Sequence, residues 1–498
     1  MATVLKEYQI KRPVGGGDVA TSNRRVFAMR NKNMNFEDFR KANEEIKRYV
    51  HFDNRVSLKD DGVWKYITDP NQIQTHAFYP FITFEKNCMK YSHINNELKD
   101  KKRPISYSAH IDRCIYQYYA YLINEKYNIR AESDGINKCA VAYRNNLHKN
   151  NVDFAHSVFE FIMKNDDCYI IVGDFKSFFD SLDHSYLKER LCDLLGCTQL
   201  SKDYYAVFKS ITKYSNCMLE DILAYFRLKN RRKTLQKLNT KERIMTIEEF
   251  HEFKSRRFTK NGEWHYAVQK NKIKGIPQGS AISAVLANVY MLAFDYNMNN
   301  YINKLKGLYM RYSDDFIVVI PGHDDDEFMH QKHIVDRMIN EIPNLILEGN
   351  KTQIFSFSQG VLTNVSRQFA VGGEGLNTTL DYLGFSFDGI KVKIRDKTTT
   401  KYYYRMHRKV NTVGRWLYKH KRLETSSLYK LYSDSKSKKE KKPQNTDKKC
   451  KRKKFEGNFI SYTKRARKIM GEDAWGDKCE LRHLTKLRRR LTKVTKSK

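Results

Sequence analysis

The sequence predicts an α+β fold, and three observations carry that expectation. Apolar, β-prone runs occur at 168–173 (CYIIVG), 307–320 (GLYMRYSDDFIVVI) and 381–394 (DYLGFSFDGIKVKI), short enough for strands. Around them lie segments with apolar residues at helical spacing, clearest at 105–127 (ISYSAHIDRCIYQYYAYLINEKY). The last hundred residues differ in kind, alternating basic amphipathic stretches with a polar low-complexity segment.

In chain order, residues 1–74 read as a polar N-terminal extension. The GGG break at 15–17 has no GxxxxGK[ST] pattern after it, so it reads as a hinge rather than a phosphate loop. The stretch 35–49 looks helical. The N-terminus has no signal-peptide core, and no stretch approaches the apolar run a membrane span needs, so a cytoplasmic protein is expected. Between the first two strand-like runs lies a charged insertion, roughly 200–270, that reads as helix-rich. Near the C-terminus, 404–432, 457–470 and 477–493 place Lys and Arg on one helical face and Leu, Tyr, Trp or Ile on the other. The segment 433–454 (SDSKSKKEKKPQNTDKKCKRKK) is too polar to bury a core, and a disordered loop is expected there. A chain of 498 residues has room for two or three domains.

The nine cysteines are scattered and form no CxxC pair, so they read as reduced thiols packed as small apolar groups. The net charge of +35 is uneven: residues 401–498 hold 33 Lys/Arg against 9 Asp/Glu, so +24 of it sits in the last fifth. A chain this basic is expected to bind a polyanion, and nucleic acid is the leading one.

Three motifs carry chemistry. YSDD at 312–315 is flanked by LYM and FIVVI, which makes it a hairpin with two carboxylates at its tip. Placing acids between core strands is costly unless a cation neutralises them, and hard carboxylates favour Mg²⁺, with Mn²⁺ as a substitute. In IIVGDFKSFFDSLDH (170–184) a strand runs into Asp174, placed as a metal ligand, whereas Asp180 and Asp183 read as helix N-terminal or surface acids. Transfer of a nucleotidyl group to a 3′-hydroxyl needs two ions roughly 4 Å apart held by shared carboxylates, and Asp174 with Asp314 would meet that need. In KGIPQGSAISAVLANVYM (274–291), Gly275, Pro277 and Gly279 form a tight loop before a small-residue helix able to pack closely on a sheet.

With DFKSFFDSLDH, GIPQGSAISAVLANVYM and YSDD in this order, the sequence resembles the bacterial reverse transcriptases, the group that includes intron-encoded, retron and phage-defence enzymes. RPISYSAHIDRCIYQYY (103–119), CAVAYRNNLHKN (139–150), LEGNKT (347–352) and DYLGFSFDG (381–389) also resemble that family's elements, so the likeness spans about 75–390. It implies a right-hand polymerase: α-rich fingers and an antiparallel-sheet palm over 75–390, then a basic helical thumb over 391–498. Asp174, Asp314 and Asp315 would be the catalytic carboxylates, holding two Mg²⁺ with help from the Phe175 carbonyl. Arg144 would grip the incoming triphosphate, Gln278 would lie against the nucleotide sugar, and Lys351 would sit near the triphosphate as a candidate general acid. Tyr382, Leu383 and Gly384 would guide the primer end, on a hairpin closed by a type I′ signal at Asp388-Gly389.

Five residues after Asp174 stands Phe179, where the family places an aromatic wall against a 2′-hydroxyl, so dNTPs should be favoured over rNTPs. KYYYRMHRK (401–409) interleaves aromatics with cations, a pattern suited to RNA or single strands. The acids of GHDDDE (322–327) read as a helix N-terminus, and His184 as a structural cap rather than a base. No nuclease-type Cys/His cluster and no VTG-type thumb motif is present. What remains resembles the stand-alone, defence-associated enzymes, which implies RNA-directed synthesis of cDNA on a dedicated noncoding RNA, with homo-oligomerisation left open. Two other readings stay open: a group II intron maturase, and an RNA-binding scaffold with a vestigial polymerase site.

Overall fold

The computed structural model describes residues 36–92, 97–144, 146–230, 232–271, 273–372, 377–420, 425–432, 458–476 and 479–496. The glycine break at 15–17 and the low-complexity segment 433–454 lie outside the described residues. In chain order the strands are β1 (Phe81–Ser92), β2 (Glu97–Tyr107), β3 (Asp167–Asp174), β4 (Ser215–Met218), β5 (Arg257–Lys260), β6 (Glu263–Tyr266) and β7 (Gln269–Lys270). They continue as β8 (Leu308–Tyr312), β9 (Asp315–Pro321), β10 (Gln353–Ser358), β11 (Val361–Asn364), β12 (Leu380–Tyr382), β13 (Phe385–Phe387) and β14 (Val392–Ile394).

The palm is a five-stranded antiparallel sheet in the order β11-β10-β3-β9-β8. Its strands are apolar on both faces because helices cover both. Along β9, Phe316, Val318 and Ile320 join one core with Tyr169 and Ile171 of β3, against the helices His110–Ser133 and Ala281–Lys304. The alternate residues Ile317 and Val319 join Ile170, Phe355 and Phe357 in a second core, against the helix Asn151–Lys164. This two-residue alternation is the strand period, so a one-residue slip would exchange the two cores.

The fingers are helix-rich, and a sheet accompanies the helices. They contain a four-stranded sheet, β2-β1-β4-β7, built around the long β1–β2 hairpin. The helical pattern expected over 105–127 begins later, at His110, and runs to Ser133. Residues 105–107 pair with β1 instead: Ile105 faces Phe84, and the Ser106 and Thr83 hydroxyls hydrogen-bond at 2.9 Å. The helical stretch expected over 35–49 is confined to Phe36–Ala42. Residues 50–73 do not stand apart as a polar extension. Val50 and Phe52 share a core with Ile82, Ile222 and Phe253, and Leu58, Ile67 and Ile73 enter the main core. The insertion carries four helices (Lys202–Thr212, Leu219–Tyr225, Arg232–Leu238, Ile247–Ser255) and also the β5–β6 hairpin.

The thumb comprises the helices Asp396–His420, Ser426–Tyr432, Phe459–Met470 and Cys479–Lys496. Met406, Val410, Val413, Leu428 and Leu487 form its small core. The helix Phe459–Met470 docks on the palm: Asn151 donates to the Tyr462 hydroxyl at 3.0 Å, and Arg465 pairs with Asp153. Among the described residues, no helix is long and apolar enough to cross a membrane. Cys114, Cys139, Cys168, Cys192 and Cys217 are buried free thiols, as their scatter suggests.

Candidate active site

Strand register brings the three aspartates together. Asp174 ends β3 directly opposite Asp315, the first residue of β9. Asp314 occupies the two-residue turn between β8 and β9, and its carbonyl accepts from the Phe175 amide at 3.2 Å. Gly173 precedes Asp174 because the Phe316 ring lies across its backbone; a Cβ there would fall 2.4 Å from that ring. Asp174 is buried, and its Oδ1 makes no hydrogen bond. Its Oδ2 accepts from the Lys351 ammonium, which the turn after Glu348 delivers; the Glu348 amide in turn binds the Asp174 carbonyl at 2.8 Å.

Asp315 is open to solvent, yet the protein mass around it still withdraws water from the carboxylate. That desolvation, with the charge of Asp314 beside it, pushes the Asp315 carboxyl up to about 6, against a smaller opposing pull from Arg395. Among the described residues, no three His, Cys, Asp or Glu side chains converge as a complete metal cage. The donor set nevertheless fits a divalent ion of the Mg²⁺ type. It combines hard carboxylates, a buried carboxylate oxygen with no partner, and a local field that already draws an ammonium to Asp174.

The turn that presents Asp314 is held from below. Ser313 adopts a positive φ of 64°, strained for a residue with a side chain. Three contacts fix it: Arg311 donates to the Ser313 carbonyl at 2.9 Å, Tyr143 donates to the Ser313 hydroxyl at 2.9 Å, and Phe175 binds Asp314. Arg311 is fully buried and meets both oxygens of Asp295, at 2.8 and 2.6 Å. Tyr309 also donates to Asp295, and Asn288 accepts from Arg311. Burial alone would lower the Arg311 pKa, but Asp295 reverses this and holds it above the usual arginine range. Asp295, Asn288, Arg311 and Tyr143 did not stand out in sequence. An arginine inside the apolar run LYMRY was the available signal, since a buried cation needs a buried acid.

The loop 275–279 is stitched to the same centre. The amides of Ile276 and Gly275 bind the carbonyls of Phe179 and Leu182, at 2.9 and 2.8 Å. Gly275 has φ +83°, and a Cβ there would sit 2.6 Å from the Asp180 carbonyl oxygen, so only glycine permits this approach. Phe179 is half-buried and packs edge-on to Phe178. Gln278 is exposed, and its carbonyl accepts from Ser106 at 2.9 Å, which links the loop to the fingers. Asp183 caps the helix His184–Leu195 and His184 bonds the Gly275 carbonyl, both structural roles. Asp324 likewise caps the helix Asp325–Asn340.

Several placements correct the expectations. Arg144 is buried, and its guanidinium is engaged by the Asn128 side chain, the Asn137 side chain and carbonyl, and the Ala140 carbonyl. A phosphate contact by Arg144 is therefore not part of this arrangement. Lys351 meets Asp174 itself rather than standing apart on the triphosphate side. Tyr382 is buried, with its hydroxyl on the Met310 carbonyl at 3.4 Å, so of its trio only Leu383 and Gly384 reach the surface. The tight turn of that hairpin is Leu383-Gly384, both at positive φ. Asp388-Gly389 instead opens a longer loop, in which the Asp388 carboxylate accepts from Ile390 and Lys391.

A family described as reverse transcriptase (RNA-dependent DNA polymerase) matches residues 90–387. The chain belongs to the reverse transcriptase family. The match contains Asp174, Asp314, Asp315, Phe179, Gln278 and the Arg311 clamp. No curated protein matches the sequence. Similar solved structures include apo telomerase from Candida tropicalis truncated from its C-terminal domain, with a TM-score of 0.37, 14% identity, and coverage of 68% of this chain and 61% of that one. Another is telomerase from Candida albicans in complex with a TWJ fragment of telomeric RNA, with a TM-score of 0.34, 14% identity, and coverage of 89% and 66%. This chain spans less than two thirds of the length of each, and likeness at this level adds no argument about function.

Proposed function

We propose that this reverse transcriptase is an active RNA-directed DNA polymerase that joins dNTPs to a primer end on an RNA template. The observation that carries the reading is Asp174 opposite Asp315 with Asp314 between them, on a turn held by three independent contacts. A pair of Mg²⁺ ions, when bound, lowers the pKa of the primer hydroxyl and offsets charge on the triphosphate. Asp174, Asp314 and Asp315 are the side chains to hold them. Lys351 keeps positive charge beside Asp174 and can release it as cation and phosphates arrive. Phe179 and the loop bearing Gln278 form the sugar side of the nucleotide position. An apolar ring there leaves a 2′-hydroxyl without a hydrogen-bond partner, which favours deoxynucleotides. The thumb supplies phosphate contacts along the template–primer duplex.

The finer reading, synthesis on an associated noncoding RNA in antiphage defence, is supported by the resemblance to the stand-alone enzymes and by the concentration of charge in residues 401–498. Both levels have one test. RNA and cDNA copurifying with the wild type are sequenced beside the Asp314→Ala/Asp315→Ala variant. The expected result is one dominant RNA in both preparations, and cDNA complementary to it in the wild type alone. The same RNA in both with cDNA in neither would favour an RNA-binding scaffold.

A further inference from the structure

The β5–β6 hairpin in the insertion has two faces of opposite character, because cross-strand partners share a face. The inner face pairs Phe258 with His265 and Lys260 with Glu263. Phe258 packs on the Phe253 ring, His265 bonds Asp221 at 2.8 Å, and Lys260 reaches Glu85 of β1 at 3.0 Å, so the hairpin is anchored on the fingers. The outer face pairs Arg257 with Tyr266 and Thr259 with Trp264, and all four residues are exposed. Trp264 is 72% exposed and Tyr266 53%, while the Arg257 guanidinium lies over the Tyr266 ring at 4.6 Å.

A monomer rarely leaves a tryptophan and a tyrosine side by side in water without use. The chemistry of the face selects the occupant. Tryptophan, tyrosine and arginine also serve protein contacts, so the charge around the face is what separates the occupants. Residues 254–274 hold seven Lys/Arg against a single acid, Glu263, which favours a polyanion. Aromatic rings on a strand face stack bases, and neighbouring cations hold the phosphates. Trp264 and Tyr266 lie two residues apart on β6, about 7 Å, a spacing that successive bases of an extended strand can reach.

We propose that this outer face binds unpaired RNA, with Trp264 and Tyr266 as stacking platforms and Arg257 as the phosphate contact. The site lies on the fingers, separate from the aspartates and from the thumb. It would hold either the single-stranded template ahead of the primer or an unpaired region of a bound RNA. The inference does not depend on catalysis.

The test is photo-crosslinking of short unstructured RNA containing 4-thiouridine to the full-length wild type, with the adduct mapped by mass spectrometry. It is paired with affinity measurements on Trp264→Ala/Tyr266→Ala and on Trp264→Phe. The adduct is expected within 257–266. The double variant should lose roughly fivefold or more in affinity, and Trp264→Phe should keep most of it. Extension of a pre-annealed primer at saturating template should be unchanged. A primer–template with a long 5′ template overhang, compared with a separate unpaired RNA, distinguishes the two sources by which one yields the adduct. Adducts confined to other segments with unaltered affinity would overturn the proposal. So would a double variant that changes oligomeric state in light scattering while binding RNA normally, which would mark the face as protein-binding. If the wild type failed to extend primers yet gave the adduct, the polymerase reading would fall and this one would stand.

Discussion

The YSDD turn of the palm and the outer surface of the thumb both concentrate charge, but the two are built in opposite ways. In the palm, the buried charges have named partners: Arg311 with Asp295, and Asp174 with Lys351. On the thumb helix Asp396–His420, Tyr402, Met406, Val410 and Val413 point inward, while Tyr404, Arg405, Arg408, Arg415 and Lys419 are exposed. The first region positions atoms and depends on individual contacts. The second makes a field, in which one charge is a small part of the whole. Function should therefore fail sharply in one region and gradually in the other.

The largest effect is expected at Arg311. Replacing it by Met leaves Asp295 as an uncompensated buried charge, at a cost of about 3–5 kcal/mol, and frees the Ser313 carbonyl. Thermal denaturation should show the loss of stability, and primer extension should collapse with it. The double variant Arg311→Met/Asp295→Leu separates the two consequences. With neither charge buried, the melting temperature should recover much of the loss, but the strained Ser313 turn still lacks its clamp and synthesis should stay low. Full recovery of synthesis in the double variant would show that the contact to Ser313 has no part in positioning Asp314.

This contrast also decides what was legible in the sequence. Asp174, Asp314 and Asp315 could be read because apolar strands flank them, and alternation along a strand fixes their place at its end. The strands β3, β8 and β9 fall within a residue or two of the runs that announced them. Arg311 and Asp295 lie 16 residues apart across a helix and a strand, and local pattern says nothing about such a pair. Arg144 failed for a related reason: its position near the site was readable, but its side-chain direction is set by Asn128 and Asn137 on the neighbouring helix and loop. Residues 105–107 went to β2 because pairing with β1 outweighed a helical period continuing from the segment that follows.

A smaller effect is expected at Phe179, the residue proposed to wall the nucleotide sugar. Phe179→Ala removes a half-buried ring whose backbone is already fixed by Ile276, so the fold should tolerate the change. What changes is the wall beside the sugar. Competition between dNTPs and rNTPs in primer extension should shift toward rNTPs by roughly tenfold or more. Unaltered selectivity would assign Phe179 to packing against Phe178 and nothing else.

The smallest effect is expected on the thumb. Arg408 is exposed on the basic face of its helix, with Tyr404 a turn before it and Arg415 two turns after. If it contributes one phosphate contact among many, Arg408→Ala should weaken RNA and duplex binding alike, only a few-fold, and without regard to sequence. A salt titration should show the slope of log K against log salt reduced by about 0.9 for a B-form DNA duplex and about 0.7 for single strands. Extension at saturating template should be unchanged, because no contact to the aspartates is lost. A loss of several hundredfold from this one residue would place Arg408 in a built pocket of the kind the palm contains. Additive small losses from Arg405, Arg408 and Arg415 replaced in turn would establish the thumb as a distributed electrostatic surface, whose strength depends on how many cations it carries rather than on the geometry of any single one.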